Sequence, residues 1–188
     1  MKILLTGGGT GGHFYPILAT SRALRKIAEK EGIVTMDLLY MSDHPFDADQ
    51  LAHIGIRFRR IPAGKMRRYR SLANITDLFK TVAGVVFALW RVFIEVPDVV
   101  FAKGGYASFP ALFAARLLRI PVIIHESDTV PGRVNRWAAK FARRVAIAFP
   151  EAAEYFPKEK TAFIGNPIRP EVVGGNLEEA AVIFGATL

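Results

Sequence analysis

Cysteine is absent from this chain of 188 residues, which excludes disulfide bonds and thiolate metal sites and suits a reducing compartment. Histidine, aspartate and glutamate show no metal-ligand spacing, so we expect neither a bound metal nor a cofactor. Long hydrophobic runs are also missing. The ten positions between Lys80 and Arg91 form an apolar run, whereas a helix that crosses a bilayer takes about twenty residues. This run is therefore not expected to span a membrane.

Acidic residues are outnumbered by basic ones, 17 against 25, which gives a net charge of +8. Such a charge favours an anionic partner, either nucleic acid, an acidic membrane surface or a phosphorylated substrate. Aromatic residues do not interleave with the basic ones as they do in base-stacking sites, so no nucleic acid partner is expected. The hydrophobic content of 51% indicates a globular α/β domain with a substantial core.

The first sixteen residues, MKILLTGGGTGGHFYP, are typical of a buried strand, a glycine turn and a helix. A helix that begins at such a turn directs free N–H groups and its positive dipole end towards an anion, usually a phosphate. The spacing matches neither the Walker motif nor the GxGxxG dinucleotide motif. A tight turn without a ligand remains the alternative, although Thr10 and His13 would add a hydroxyl and a proton carrier.

Strands and helices alternate along the rest of the chain. After the first strand, we predict strands at 34–41, 57–61, 98–102, 122–125, 145–148 and 161–164. Helices are predicted at 17–29, 47–54, 72–95, 107–118 and 135–143, with Pro16 in the first turn of one helix and Asn74 as the N-cap of another. This order predicts right-handed βαβ crossovers and a doubly wound, mostly parallel, Rossmann-like sheet.

Polar residues and glycines follow several strands at the edge where ligands bind in open parallel sheets. These candidates are Thr10, Gly11, Gly12 and His13; Lys103, Gly104, Gly105, Tyr106 and Ser108; His125, Glu126, Asp128 and Asn135; and Asn166 and Arg169. Two helices that begin at glycine turns in one sheet would form paired anion sites, as a diphosphate requires. The sequence therefore predicts a diphosphate site at this edge.

Each candidate also has a simpler interpretation. His13 is either a proton acceptor or a helix cap. His125 closes an apolar strand, which favours a structural role, and Glu126 either orders loops or acts as an acid or base. Asn166 and Arg169 are either turn and surface residues or, for the arginine, a charge-assisted phosphate contact.

A cationic run at 65–70, which includes Arg67 and Arg68, precedes an apolar-rich helix. Ile75, Phe79, Val82 and Val86 would face outwards if the opposite side of the helix packs on the sheet. Apolar side chains beside basic clusters are typical of a protein that lies on an anionic membrane. A helix buried on both sides, with a solvated basic loop, is the alternative.

Four motifs in order resemble the N-terminal domain of the MurG family of glycosyltransferases. They are GGGTGGHFYP near the start, GGYASFP at 104–110, HESDTVPGRVNRWAAK at 125–140 and GNPIRPEV at 165–172. The resemblance covers about the first 172 residues. It implies the N-terminal half of a GT-B glycosyltransferase, which transfers GlcNAc from UDP-GlcNAc to an undecaprenyl-pyrophosphate-linked MurNAc-pentapeptide. The reaction would be inverting and metal-independent, at the cytoplasmic face of the cell membrane, where the protein would be peripheral.

The resemblance also implies roles for individual residues. His13 would be the base, Thr10, Gly11, Gly12, Asp128 and Arg169 would contact the donor, and the second glycine loop would face phosphate. The acceptor or phosphate set would be Gly104, Gly105, Tyr106, Ser108, Glu126, Asn135 and Asn166. Asp128 departs from the family, which has an asparagine there, because an ionised carboxylate only accepts hydrogen bonds.

The chain is also shorter than the family pattern. We expect a lipid-acceptor domain at 1–172 and the start of an interdomain linker at 173–188, without the C-terminal donor domain. The chain alone would then be inactive, and the donor domain would be supplied in cis or as a separate chain. The alternatives are the acceptor subunit of a split transferase, a non-catalytic lipid-diphosphate binder and a nucleotide-sugar epimerase fragment.

Overall fold

The computed structural model describes residues 1–8, 10–65 and 73–169, together with the single residues 174 and 183. Side chains are described from Ile75 onwards in the third helix. The predicted basic residues Arg67 and Arg68 and the predicted boundary at 172/173 lie outside the described residues, as does most of the predicted linker.

In the described part of the chain, seven strands form one sheet in the order β3-β2-β1-β4-β5-β6-β7, and every neighbouring pair is parallel. The strands are β1 (Lys2–Thr6), β2 (Asp37–Ser42), β3 (Ile56–Arg60), β4 (Val99–Ala102), β5 (Val122–Glu126), β6 (Arg144–Ile147) and β7 (Thr161–Phe163). The chain runs outwards from β1 to β3 and then returns to the other side of β1. This reversal between β1 and β4 is the switch point where doubly wound sheets bind ligands.

Within the described residues, the strands are connected by α1 (Gly11–Lys30), α2 (Ala48–His53), α3 (Ala73–Glu95), α4 (Phe109–Leu117) and α5 (Arg133–Ala138). Short 3-10 turns cover Tyr106–Ser108, Pro150–Tyr155 and Lys158–Lys160. The doubly wound Rossmann-like sheet predicted from the sequence is confirmed.

Alternate residues of the strands enter two separate cores. Leu5 of β1 packs with Phe14 and Ile17 of α1 on one face of the sheet. Leu4 packs on the other face, in the cluster that contains Ala88 of α3. This alternation, which follows from the two-residue period of a strand, fixes the first helix on one side and α3 and α4 on the other.

Several predicted helix ends are wrong. Helix α1 begins at Gly11 rather than residue 17, because the Thr10 carbonyl already accepts the N–H groups of His13 and Phe14. Pro16 therefore lies inside the helix, where its ring nitrogen cannot donate to the carbonyl of Gly12, an exposed residue.

Asn74 is not an N-cap, since α3 already includes Ala73. The predicted helix at 107–118 begins as the 3-10 turn Tyr106–Ser108 and becomes α-helical only at Phe109. The helix predicted at 135–143 occupies Arg133–Ala138 instead.

Candidate functional site

The two glycine loops meet at the switch point. A β-carbon placed on Gly105 would lie 2.6 Å from the Gly8 carbonyl oxygen and 3.4 Å from Nε2 of His13. Gly105 also has a φ of 81°, a backbone conformation that favours glycine. We call Gly8, His13 and Gly105 the glycine junction. The two glycine loops that the sequence places at one edge of the sheet therefore lie next to each other.

His13 occupies the first turn of α1 and is half-buried. Its Nδ1 lies 2.9 Å from the hydroxyl oxygen of Thr10, the N-cap residue. When Nδ1 carries the proton and donates it to this hydroxyl, Nε2 is left with a free lone pair on the side of Gly105. This geometry suits a proton acceptor at the glycine junction.

The surroundings of His13 keep its imidazole neutral. Burial lowers the pKa of His13, and the nearby Lys103 ammonium lowers it further, whereas Glu126 and Asp128 raise it in part. A neutral imidazole is the form that accepts a proton.

Lys103 is buried directly after β4, with only 1% of its surface exposed. Its Nζ donates to Nδ1 of His125 at 2.7 Å and to the hydroxyl of Ser127, and it lies 3.5 Å from Oδ1 of Asn166. All three acceptors are neutral. Burial lowers the pKa of Lys103 to about 8, an effect that Glu126 and Asp128 partly oppose. The site therefore holds a buried positive charge beneath the glycine junction.

His125 supports this lysine. Its Nε2 lies 2.9 Å from the Gly165 carbonyl, which can only accept, so Nε2 carries the proton and Nδ1 accepts from Lys103. Burial and the Lys103 ammonium lower the pKa of His125 to about 4. The contacts agree with the structural role that the sequence favoured.

Glu126 is buried, and both of its carboxylate oxygens accept two hydrogen bonds each. Oε1 accepts from the backbone N–H groups of Ser127 and Asp128 at 2.8 and 3.0 Å. Oε2 accepts from the Gly132 N–H at 3.1 Å and from Nδ2 of Asn135 at 3.0 Å. Of the two interpretations, these contacts favour the one in which Glu126 orders the loop.

The remaining predicted residues differ in where they lie. Gly11 and Gly12 form the start of α1, and Gly104, with a φ of 83°, precedes Gly105. The Ser108 hydroxyl donates to the Gly105 carbonyl at 2.8 Å and thus stabilises the loop. Asp128 and Asn166 are exposed. The guanidinium of Arg169 lies 3.9 Å from the centre of the Tyr15 ring. Tyr15 belongs to α1, the helix that carries His13.

Asp43 contacts the second glycine loop at the candidate site, and the sequence did not predict it there. It follows β2 at the same edge of the sheet, and its Oδ2 accepts the hydroxyl hydrogen bond of Tyr106 at 2.6 Å. Its Oδ1 lies 2.8 Å from Nδ1 of His44. Burial raises the pKa of Asp43, but the hydrogen bonds from Tyr106 and His44 outweigh burial and lower it. The position of Asp43 directly after a strand was the available signal.

Helix α3 carries an exposed apolar surface. The four predicted residues are all exposed: Ile75 by 57%, Phe79 by 71%, Val82 by 55% and Val86 by 61%. Leu78, Phe87, Trp90, Phe93 and Ile94 extend the same surface. We call these nine residues the apolar surface of α3. In the described part of the chain, no helix is both long and apolar enough to cross a membrane.

Residues 1–8, 10–65 and 73–169 contain no group of three or more His, Asp or Glu side chains placed to hold a metal ion. The candidate site consists instead of helix N-termini, the Lys103 ammonium and the His13 imidazole.

A doubly wound parallel sheet with glycine loops at its switch point is Rossmann-like, and it is the architecture of the N-terminal half of GT-B glycosyltransferases such as MurG. The family model described as the glycosyltransferase family 28 N-terminal domain matches residues 3–147. The chain therefore belongs to this glycosyltransferase family, as the four sequence motifs predicted.

Individual proteins of this family are similar to the chain over most of its length. A Bacillus cereus protein is 39% identical over 98% of this chain and 51% of its own length. It is named UDP-N-acetylglucosamine–N-acetylmuramyl-(pentapeptide) pyrophosphoryl-undecaprenol N-acetylglucosamine transferase 2. The crystal structure of Acinetobacter baumannii MurG is similar with a TM-score of 0.69 and 27% identity, over 89% of this chain and 46% of that one. The chain thus spans about half the length of the curated relatives it matches.

The UDP-GlcNAc 2-epimerase of Neisseria meningitidis is similar at a TM-score of 0.58 and 19% identity, over 88% of this chain and 46% of that one. At this identity the likeness shows a shared fold alone.

Proposed function

We propose that this chain is the acceptor-binding half of a transferase that moves GlcNAc from UDP-GlcNAc to a MurNAc-pentapeptide on undecaprenyl diphosphate. The glycine junction carries the proposal, because it brings the start of α1 and the 3-10 turn before α4 together beside the free Nε2 of His13. Free N–H groups at such starts suit a diphosphate. The name of the Bacillus cereus relative supports the choice of donor and acceptor.

In the proposed reaction, His13 acts as the base. Its Nε2 takes the proton of the attacking acceptor hydroxyl as that oxygen bonds to the anomeric carbon of GlcNAc. The bond from this carbon to UDP breaks, and UDP leaves with the electron pair. Because the hydroxyl attacks from the face opposite to UDP, the anomeric centre is inverted. The helix N-termini and Lys103 supply positive charge for the diphosphates, so the mechanism needs no metal ion or cofactor.

The donor contacts in this proposal are Thr10, Gly11, Gly12, Asp128 and Arg169. The acceptor phosphates contact the loop of Gly104, Gly105 and Tyr106, while Ser108, Glu126 and Asn135 hold this edge in shape and Asn166 borders Lys103. A C-terminal donor domain, in cis or as a separate chain, completes the site.

The proposal places the protein on the cytoplasmic face of the cell membrane as a peripheral protein. The apolar surface of α3 and the net charge of +8 support an anionic lipid surface as a partner.

The direct test combines this chain with the separately expressed C-terminal half of the Bacillus cereus relative and measures GlcNAc transfer to the lipid acceptor. We expect the wild-type pair to be active. His13→Ala should lower kcat by about 100-fold or more with little change in KM, because a general base acts mainly in the transition state.

His53→Ala, at the end of α2, is the matched control and should leave kcat unchanged. Equal activity of the His13→Ala pair would remove His13 from the mechanism. If the two halves form a complex and the wild-type pair is still inactive, the result would count against the proposed transferase function.

A further inference from the structure

A cavity of about 400 Å³ lies beside the glycine junction, between α3, the start of α4 and α5. Thr81 of α3, Phe109 of α4, and Val134 and Trp137 of α5 contribute to its lining. Its volume is within the range of small-molecule sites, which measure about 300–1,000 Å³. Apart from Gly105 and Tyr106, the residues of its lining have no role in the reaction proposed above.

Gly105 connects the cavity to the site. This residue lines the cavity and also abuts Gly8 and His13. A ligand whose diphosphate binds at the glycine junction would therefore have its next atoms at the entrance of the cavity.

One wall of the cavity is aromatic. Trp137 and Phe109 line it, with their ring centres 5.0 Å apart. Phe141 and Phe113 support the Trp137 ring from outside the lining, and the Phe141 ring centre lies 4.9 Å away. Phe113 stacks on Trp137 at 6.4 Å with an angle of 9° between the planes. The cavity lining is mostly apolar, with Arg133 as its charged member, which suits a hydrocarbon chain that follows a charged headgroup.

The α3 side of the cavity adjoins the apolar surface of α3. Leu78 lies one helical turn before Thr81 and is 55% exposed, and Val82 follows Thr81 and is also 55% exposed. A hydrocarbon chain that leaves the cavity along α3 therefore meets apolar side chains.

We propose that this cavity binds the isoprene units next to the diphosphate of the lipid acceptor. The inference rests on the proposed function, because that function supplies a diphosphate joined to a polyprenyl chain. The cavity would position the acceptor by its tail and deliver the diphosphate to Gly105. Its walls would make the site selective for lipid-linked diphosphates over free ones.

The test uses geranyl diphosphate, which carries two isoprene units, and inorganic diphosphate as probes of the 188-residue chain. Trp90→Phe leaves Trp137 as the single tryptophan, because the chain has two. We expect geranyl diphosphate to bind at least about tenfold more tightly than inorganic diphosphate, since it also buries apolar carbons. It should shift the Trp137 emission to the blue, and inorganic diphosphate should compete without causing that shift.

Val134→Phe, which fills the cavity, should abolish this preference and leave the affinity for inorganic diphosphate unchanged. Thr81→Met fills the cavity from α3 and serves as a second variant, and circular dichroism checks the folding of both. Val130→Phe is the matched control, because Val130 precedes α5 but is 61% exposed.

Equal affinity for the two probes, or a preference that survives both filling variants, would overturn the cavity assignment and leave the diphosphate site standing. An emission shift caused by N-acetylmuramyl-pentapeptide, and not by geranyl diphosphate, would assign the cavity to the peptide and also overturn the proposal. Binding of neither diphosphate would overturn the proposed acceptor site, and the cavity assignment with it.

Discussion

At the scale of single residues, Lys103 is the side chain whose charge most affects the proposed base. Lys103→Met removes a positive charge that lowers the pKa of His13 while it keeps a side chain of similar length. We therefore expect the pKa of His13 to rise. Because a base works only when unprotonated, the acidic limb of the activity profile should move to higher pH. NMR titration of the four histidines of the chain measures the first effect.

Lys26→Met is the matched control for this prediction. Lys26 is exposed and lies on the same helix, thirteen residues beyond His13, or about 20 Å along its axis. Its removal should leave the His13 titration unchanged. An unaltered or lowered His13 pKa in Lys103→Met would show that Lys103 does not set the charge state of the base. Glu126 and Asp128, which raise this pKa, remain in both variants.

The positions of many site residues could be predicted from the ends of the strands. The contacts of these residues could not. Thr10, His13 and Gly105 could be placed at one edge because parallel strands all end there. The burial of Lys103 could not be predicted, since lysine is mostly exposed and its partners, such as His125, are distant in sequence. Asp43 also follows a strand, but its role depends on the hydroxyl of Tyr106, which lies 63 positions away.

At the scale of elements, periodicity predicted the existence of each helix and strand better than its ends. Helix α1 begins at two glycines, which are poor helix formers, so the sequence favoured a later start. Its N-terminal turn instead forms because the Thr10 carbonyl accepts two N–H groups. The helix after β5 ends early, at Ala138. The helix propensities of single residues do not include these tertiary and capping effects, so they do not predict where a helix ends.

The loop between β5 and α5 depends on the Glu126 carboxylate, which accepts from four donors. In Glu126→Gln, one oxygen becomes an NH2 group and faces two of these donors. We expect a loss of about 1–3 kcal/mol in the free energy of unfolding, because buried polar groups lose their partners. Urea unfolding of the 188-residue chain measures this change.

Glu154→Gln makes the same chemical change at an exposed position and should alter stability by less than about 0.5 kcal/mol. If Glu126→Gln were as stable as wild type, the carboxylate would not be what orders this loop. Its role in the site would then have to be chemical.

At the scale of the whole molecule, the two cores of the sheet allow different surfaces on the two sides. Buried small residues of α3, such as Ala88, permit close packing on α4 and the sheet. The bulky apolar residues of α3, among them Phe79 and Trp90, are left on the outside. The cavity lies between this exposed surface and the glycine junction, so an apolar contact, an apolar cavity and a diphosphate-binding loop follow one another across the molecule.

This arrangement predicts how the chain binds lipid vesicles. The chain should float with vesicles that contain phosphatidylglycerol, and more weakly with phosphatidylcholine, because both its charge and its apolar side chains contribute. Phe79→Glu combined with Trp90→Glu should abolish flotation without unfolding the chain, since these side chains are 71% and 61% exposed. Val34→Glu, at a position 96% exposed and outside the apolar surface of α3, should float as wild type does. Flotation of the double variant at the wild-type level would show that α3 is not the membrane contact, and the route from membrane to cavity would have to lie elsewhere.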